Sequence, residues 1–453
     1  MSSFNDYRVS RYNHFQPREN GQYIAYNAWS GAVALMTPEN YELYRSIKRL
    51  IKAESPREAA EKEARLMKQL EHARFIYPAD RDQFEEISFM HHMGKYGTEG
   101  LGFVIAPTMA CNMACRYCFE ADKKGRMSDE TIAAIADCVD RKGRRLEEVS
   151  IGWYGGEPLL AMDIVEKITA EMLRLRKKHG FAYAASMITN GYLLHPENVD
   201  KLLKYGVGVV QVTVDGPARV HNVKRPLKNG RPSYATIIEN LKYASEKMVI
   251  SLRVNVDKSF NLDMLSEMLD ELEAAGLRDK VEMYFGLLEP ATTVCANIAE
   301  SCHNTVEFSR AEIEYFRLLL DRGFKIEKLP SPISNFCLAQ VTGGFVMDHE
   351  GELYRCFNYV GDKSKSMGNI RDEIDYLHPN FTSLFRFDPF RDEVCRECNI
   401  LPICLGGCPA KRQHRLAPRE EMCESWKHNL PEMLEIIARS RYRSAEASVK
   451  ETP

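Results

Sequence analysis

Three thiols share one short segment: Cys111, Cys115 and Cys118 in the run Met109-Ala-Cys-Asn-Met-Ala-Cys-Arg-Tyr-Cys-Phe-Glu120. Cysteine thiolates hold iron–sulfur clusters, and a cubane cluster has four irons, so three thiolates from one loop leave one iron free to bind something other than protein. An iron left open in this way is a place for chemistry. A second segment, Trp153-Tyr-Gly-Gly-Glu-Pro158, follows the apolar run Val149-Ser-Ile-Gly152, about forty residues after the cysteines. Glycines at a strand end let a ligand approach the backbone closely, and the proline pre-sets the turn that leads away from the strand.

Seven further cysteines gather near the C-terminal end: Cys337, Cys356, Cys395, Cys398, Cys404, Cys408 and Cys423, with Gly351 ahead of Cys356. Paired C-x2-C units are good zinc ligands, so one or two zinc ribbons are the plain alternative. Zinc suits four such residues better than seven in this order. Thirteen cysteines in a chain without an export signal argue for metal sites over disulfides, because a reducing compartment keeps thiols free.

The C-x3-C-x2-C loop, with Tyr117 just before its last cysteine, resembles the signature of radical S-adenosylmethionine (SAM) enzymes, and Gly155-Gly-Glu-Pro158 is similar to that family's SAM-contacting segment. The resemblance implies a [4Fe–4S] cluster on Cys111, Cys115 and Cys118, whose open iron chelates SAM, with Tyr117, Gly155, Gly156, Glu157 and Pro158 around the cofactor. It also implies that Asn190, Thr213 and Arg225, with Asp215 and His221 beside them, contact the SAM ribose and carboxylate or brace the site. Turn formation by Asn190-Gly and Asp215-Gly-Pro is the alternative at these strand ends. The seven later cysteines closely resemble the SPASM extension of radical SAM enzymes that modify peptides and proteins. That likeness implies two auxiliary [4Fe–4S] clusters, three clusters in all: an outer one on Cys395, Cys398, Cys404 and Cys423, and an inner one on Cys337, Cys356 and Cys408. Some relatives supply an eighth cysteine soon after the first of the seven, but Cys337-Leu-Ala-Gln-Val-Thr-Gly-Gly344 contains none. Either Cys302 or Cys295 completes the inner site, or its iron is open to a substrate thiolate. The resemblance covers about residues 97 to 430.

Six β-rich runs alternate with helical stretches and must position the early motifs: 102–106, 149–153, 184–188, 207–214, 250–256 and 281–285. Such alternation predicts parallel βαβ units. Six units fall short of a closed eight-stranded barrel, and the fold expected from the resemblance is an α/β partial (β/α)6 barrel, open on one side, with chemistry at the C-terminal strand ends. The barrel is placed at 97–310, the SPASM domain at 311–430, and a C-terminal helix fraying into a disordered tail at 431–453. Residues 1–96 contain no cysteine and read as a separate module: a hairpin from 21–27 and 32–36, helices at 38–52 and 56–72, and a strand near 74–77. This resembles the winged-helix-like leader-peptide recognition domain of peptide maturases, in which a leader adds a strand to a sheet edge.

Over 453 residues, 61 basic and 64 acidic side chains nearly cancel, so no whole-chain field draws the protein to nucleic acid or an anionic membrane. No secretory core or membrane-length apolar run occurs, which places the expected enzyme in the cytoplasm. The expected activity is maturation of a ribosomally made precursor peptide by thioether crosslinks from cysteine sulfur to carbons of other residues, using a low-potential electron donor of the flavodoxin or ferredoxin type. Carbon–carbon crosslinking, epimerisation and sulfatase-type protein maturation are alternatives, as is a non-catalytic iron–sulfur electron carrier. Sulfatase-maturating relatives carry an aspartate directly after the cysteine matching Cys356, where this chain has Phe357. No catalytic side chain is singled out.

Overall fold

The computed structural model describes residues 3–120, 124–290, 292–414 and 418–450. Its N-terminal strands are β1 (Tyr7–Val9), β2 (Asn13–Pro17), β3 (Tyr23–Asn27), β4 (Val33–Met36) and β5 (Ile76–Pro78). The order β2-β3-β4 forms one antiparallel sheet, and β1 pairs with β5. The expected hairpin is β3–β4, its turn closed by the Asn27 side chain accepting from Trp29 N at 3.0 Å and Ser30 N at 2.9 Å. Helix α1 (Pro38–Lys52) starts where expected, because Thr37 Oγ1 accepts from Asn40 N and Pro38 occupies the first helical position. Helix α2 (Glu61–His72) starts at Glu61 instead of 56: Glu63 accepts from Ala60 N at 2.9 Å and pairs with Arg57 at 2.7 Å, which sets the first turn there. Helix α3 (Gln83–Tyr96) has no counterpart in the sequence reading. It buries His91 and Lys95 while exposing Phe89, Met93 and Tyr96, so its apolar periodicity is inverted and does not mark an inward face.

The main sheet contains the six expected strands as neighbours in chain order, all parallel: β6 (Gly100–Ile105), β7 (Glu148–Trp153), β8 (Ala182–Thr189), β9 (Val207–Thr213), β10 (Val249–Val256) and β11 (Val281–Leu287). Helices α4 (Asp129–Lys142), α5 (Met162–His179), α6 (Pro196–Lys204), α7 (Ala218–Lys224), α8 (Tyr234–Ala244) and α9 (Leu262–Ala274) fill the crossovers. The sheet does not stop at six. After α10 (Thr305–Asp321), β12 (Lys325–Ile326) adds in parallel to β11; β13 (Gly344–Met347) adds in parallel to β6 and carries the antiparallel β14 (Leu353–Tyr354). Both edges of the six-stranded unit are thus covered by backbone from the cysteine-rich region, which removes exposed edges.

Two expected boundaries move. Position 310/311 falls inside α10, which joins the two regions by packing on α9 and β11 and, more extensively, on the final helix, Trp426–Lys450. Residues 1–96 are less separate than expected. One core inside that region includes Phe4, Tyr44, Ile47 and Phe75, but Tyr12, Ile24, Tyr26 and Ala28 join the core of the main sheet. Tyr26 Oη donates to Pro330 O at 2.6 Å, Arg11 donates to Arg396 O at 2.9 Å, and Arg18 grips Glu435 through two contacts of 3.0 Å. The final helix, Trp426–Lys450, starts before the expected 431, and 451–453 lie outside the described residues.

Candidate active site

The cysteine loop leaves the C-terminal end of β6 and is fastened by backbone bonds on three sides. Ala106 N donates to Met347 O at 2.8 Å, Met127 N to Pro107 O at 2.9 Å, Ala114 N to Pro226 O at 2.8 Å, and Lys228 N to Asn112 O at 2.9 Å. The fourth anchor is the glycine pair after β7: Gly156 N donates to Thr108 O at 3.2 Å and Glu157 N to Ala110 O at 2.9 Å. A Cβ on Gly156 would stand 2.3 Å from Ala110 O, and one on Gly155, at φ +118°, 2.5 Å from Thr108 O. Glycine is therefore required because the cysteine loop itself lies against this turn, a reason other than the ligand approach expected from the sequence. The backbone of both glycines still lines the cavity.

Glu157 and Pro158 do not line that cavity. Glu157 is fully buried and works as a strut between strand ends: Oε1 accepts from Thr189 Oγ1 at 2.7 Å and Leu159 N at 3.1 Å, and Oε2 from Asn190 N at 2.8 Å. Burial pushes its carboxyl above the usual range, and these donors oppose the shift. Asn190, held this way, reaches Asn112 Oδ1 with Nδ2 at 2.7 Å and stands 3.9 Å from Cys111 Sγ.

Tyr117 is clamped by three side chains. Arg225 donates to its Oη at 2.5 Å and Asn255 Nδ2 at 3.1 Å, while its hydroxyl donates to Asp215, whose other oxygen accepts from Asn255 N at 3.0 Å. Burial raises the Tyr117 hydroxyl far above its ordinary value, so it remains a donor. His221 stands behind this clamp. Asp215 N donates to its Nδ1 at 3.3 Å, which leaves the ring proton on Nε2, 3.1 Å from Ser233 Oγ; that hydroxyl in turn donates to Arg225 O at 2.7 Å. Burial pushes the His221 pKa down to about 3, in keeping with a neutral ring.

These elements surround a cavity of about 420 Å³ into which all three loop cysteines, Tyr117, Asn190, Thr213 and Arg225 face. Its far wall is Phe357 and Asn358, next to Cys356. Phe357 packs edge-on against Tyr154, with ring centroids 5.1 Å apart. Asp215 and His221 brace the wall without lining it. Sequence reasoning missed Gln211, Arg253 and Asn255, which also line the cavity from β9 and β10. Tyr284 donates to Gln211 at 2.5 Å, and Arg253 donates to Asn255 at 2.8 Å. Polar residues interrupting otherwise buried strands near their C-terminal ends were the available signal.

Among the described residues, no three His, Cys, Asp or Glu side chains converge tightly enough for a single metal ion. Cluster ligands stand farther apart, since each thiolate holds a different iron. The loop fits such a group: three thiols share one cavity wall, and burial pushes Cys111 up to about 11, so that the charge of iron is needed to keep it a thiolate.

Among the later cysteines, electrostatic contacts link Cys337, Cys356 and Cys408 on one side and Cys404 and Cys423 on another. Cys337, Cys356 and Cys408 perturb one another electrostatically, with burial pushing Cys337 to about 11 and Cys356 to about 12. Buried Arg355 fixes their spacing by donating to the carbonyls of Gly344, Leu338, Ala339 (2.7 Å) and Val341 (2.8 Å), tying the turn after Cys337 to the strand before Cys356. Among the others, Arg419 lies 3.7 Å from Cys395 Sγ and Arg412 lies 3.5 Å from Cys423 Sγ. Cys404 and Cys423 sense each other, and Lys427 lies 3.5 Å from Cys398 Sγ. Cys302 neighbours Cys295, Asp257 and Glu289.

Residues 105–272 match the Radical SAM superfamily. The cysteine-type anaerobic sulfatase-maturating enzyme of Clostridium perfringens is 25% identical over 369 residues, covering 72% of this chain and 94% of that protein. In fold, the chain resembles native anSMEcpe with bound AdoMet at a TM-score of 0.56 and 20% identity, covering 76% of this chain and 99% of that one. It also resembles Streptococcus suis SuiB bound to precursor peptide SuiA, at a TM-score of 0.51 and 16% identity, over 89% and 95% of the two chains. The cysteine loop and the glycine turn against it lie within this matched segment, a radical SAM domain, for which the family implies a [4Fe–4S] cluster and S-adenosylmethionine, and the chain is thereby an S-adenosylmethionine-dependent enzyme.

Proposed function

We infer that this enzyme matures a peptide or protein, and that its reaction joins a substrate cysteine sulfur to a carbon of another residue. The observation that carries this reading is the cavity, whose walls run from Cys111, Cys115 and Cys118 to the residues directly after Cys356. A substrate there lies between the SAM site and the inner thiol group. When bound, the reduced loop cluster and SAM supply a carbon radical able to take a hydrogen atom from the substrate. The chain's own residues orient the partners: Tyr117, held by Arg225, Asp215 and Asn255, fixes the loop, and the Glu157 strut fixes Asn190. Cys395, Cys398, Cys404 and Cys423 are assigned to an outer auxiliary cluster, and Cys337, Cys356 and Cys408 to an inner one with an iron open to substrate sulfur. Thiolate coordination and near-attack placement would then favour carbon–sulfur bond formation.

A peptide-sized substrate is supported by a second cavity of about 460 Å³ that shares Leu287 and Glu289 with the first and reaches Trp426. The module at 1–96, with its three-stranded antiparallel sheet, is assigned to leader-peptide binding by strand addition. A flavodoxin- or ferredoxin-type protein is assigned as the electron donor. Sulfatase-type maturation is the second reading, favoured by likeness to the Clostridium perfringens enzyme over most of its length. Phe357, packed on Tyr154 where that reading calls for a carboxylate, weighs against it.

One experiment separates these readings. Anaerobically reconstituted enzyme is given SAM, reductant, a cysteine-containing precursor peptide and, in parallel, a sulfatase active-site peptide. A precursor product two hydrogen atoms lighter per crosslink and resistant to thiol alkylation supports the thioether. Unchanged mass points to epimerisation, an alkylatable product of the lower mass to carbon–carbon coupling, and an aldehyde on the second peptide to sulfatase maturation.

A further inference from the structure

The two C-terminal thiol groups differ in what faces their sulfurs. In the group of Cys395, Cys398, Cys404 and Cys423, three cationic side chains approach three different sulfurs: Arg412 Nη2 to Cys423 at 3.5 Å, Arg419 Nη2 to Cys395 at 3.7 Å, and Lys427 Nζ to Cys398 at 3.5 Å. Arg412 also holds the turn between Cys404 and Cys408 by donating through Nε to Gly406 O at 2.7 Å, while its buried Nη1 finds no partner among the described residues. A guanidinium N–H left in that position suits a further sulfur acceptor, which fits a cluster bearing inorganic sulfide. The anions nearby are Asp392, which pairs with Arg419 and also faces Cys395, where it opposes the cations, and Glu424, which faces Cys404. Tyr12 faces Cys398 from the N-terminal module, and His14 on the same module faces Lys427.

Around Cys337, Cys356 and Cys408 the donors to sulfur are backbone amides, from Ala339 and Gln340 to Cys337 and from Asn358 to Cys356. The cation there, Arg355, gives its N–H groups to carbonyl oxygens and acts on Cys337 through its charge alone, with no hydrogen bond to sulfur among the described residues. Charged hydrogen-bond donors stabilise the more negative, reduced state of a cluster more strongly than neutral amides do, and hydrogen bonds to sulfur and local charge are among the terms that set cluster potentials.

We propose that Arg412, Arg419 and Lys427 hold the outer thiol group at a higher reduction potential than the inner group, so that an electron delivered to the inner group passes on to the outer one. The inner cluster is oxidised and the outer reduced by one electron; no bond or proton changes. The inference rests on the cluster assignment above and deepens it by giving the outer group a direction of electron flow. These three residues are positioning residues, since they act through the cysteines.

The test is an anaerobic redox titration followed by electron paramagnetic resonance, on full-length reconstituted protein carrying Cys111→Ala, Cys115→Ala and Cys118→Ala so that the auxiliary signals stand alone. Cys356→Ala, which removes an inner thiol, assigns the two midpoints. The expected result is a higher midpoint for the outer group. Lys427→Met, at an exposed position, should lower the outer midpoint, changing the reduced-to-oxidised ratio at fixed poise by on the order of tenfold. The inner midpoint should stay where it is, and Lys427→Arg should restore the outer one. Arg419→Met should act in the same direction. An outer midpoint below the inner one, or one unmoved by Lys427→Met and Arg419→Met at full iron content, overturns the proposal. Iron well below about eight atoms per chain in the parent overturns the cluster assignment instead, and the proposal with it.

Discussion

The cysteine loop at 111–118 and the cysteines at 337–423 are held by different means. The loop is fixed by backbone: its carbonyls and amides meet Gly156, Glu157, Pro226, Lys228 and Met347, and two glycines make room for it. The later thiols come from separate segments and are flanked by long side chains: buried Arg355 in the inner group, half-buried Arg412 and exposed Arg419 in the outer. A backbone-built site tolerates no change in volume at its contact points, whereas a side-chain-built site fails one group at a time. The predictions below would break or sharpen that contrast.

The largest effect is expected from Cys111→Ala, Cys115→Ala and Cys118→Ala together, which should abolish 5′-deoxyadenosine release. Cys395→Ala or Cys423→Ala should leave release within several-fold while stopping product formation. Equal loss in both sets would erase the functional difference between the regions. Liquid chromatography of SAM cleavage products, beside iron analysis, reads both.

Next comes Gly156→Ala. Its Cβ would meet Ala110 O at 2.3 Å and Met109 O at 2.4 Å, both backbone atoms, so a cost of about 3 kcal/mol or more and a fall in SAM cleavage of roughly a hundredfold are expected. Gly361→Ala in the C-terminal region is the matched control: φ is +86° but nothing stands within 4 Å, so the cost should be about 1 kcal/mol. Denaturant midpoints that move equally would refute the claim that contact with the loop, more than backbone strain, makes Gly156 necessary.

Arg355→Met should leave four carbonyls without their shared donor, costing about 2–4 kcal/mol and removing the inner group's iron while the outer group keeps its own. Mössbauer spectra of the variant would show this. Loss of both groups together would mean that they are one unit.

The smallest effect is on acid stability. His221 has a folded pKa of about 3 against 6.5 unfolded, so between these values the unfolded chain binds more protons. Stability from this group is complete above pH 6.5 and falls as the pH drops through that window, by about 2 kcal/mol at pH 5. Urea midpoints at pH 7 and pH 5 should separate accordingly, and His221→Gln should narrow the gap. If the variant keeps the full gap, the titration lies elsewhere.

The sequence carried the loop, the glycine turn and the six central strands because each is contiguous: a strand is legible where an apolar run meets a turn, and the loop's thiols sit seven residues apart at most. Where contacts join distant segments, the chain alone was mute. Arg355 and Arg412 carry no local signal, because the carbonyls they bond are brought to them from other turns. Glu157 read as a cofactor contact, yet the fold uses its carboxylate to join the ends of β7 and β8. Helix α3 was invisible because it buries a lysine and a histidine on Ser334, Phe385 and Phe387 carbonyls that only tertiary packing supplies. The three strands that extend the sheet are two to four residues long, too short for a pattern; β12 and β13 pair only because folding presents the open edges of β11 and β6 to them, and β14 then adds to β13. Local covalent pattern decides which thiols and strands exist; the partners of buried polar groups and sheet edges are non-local, and are decided only when the chain has folded.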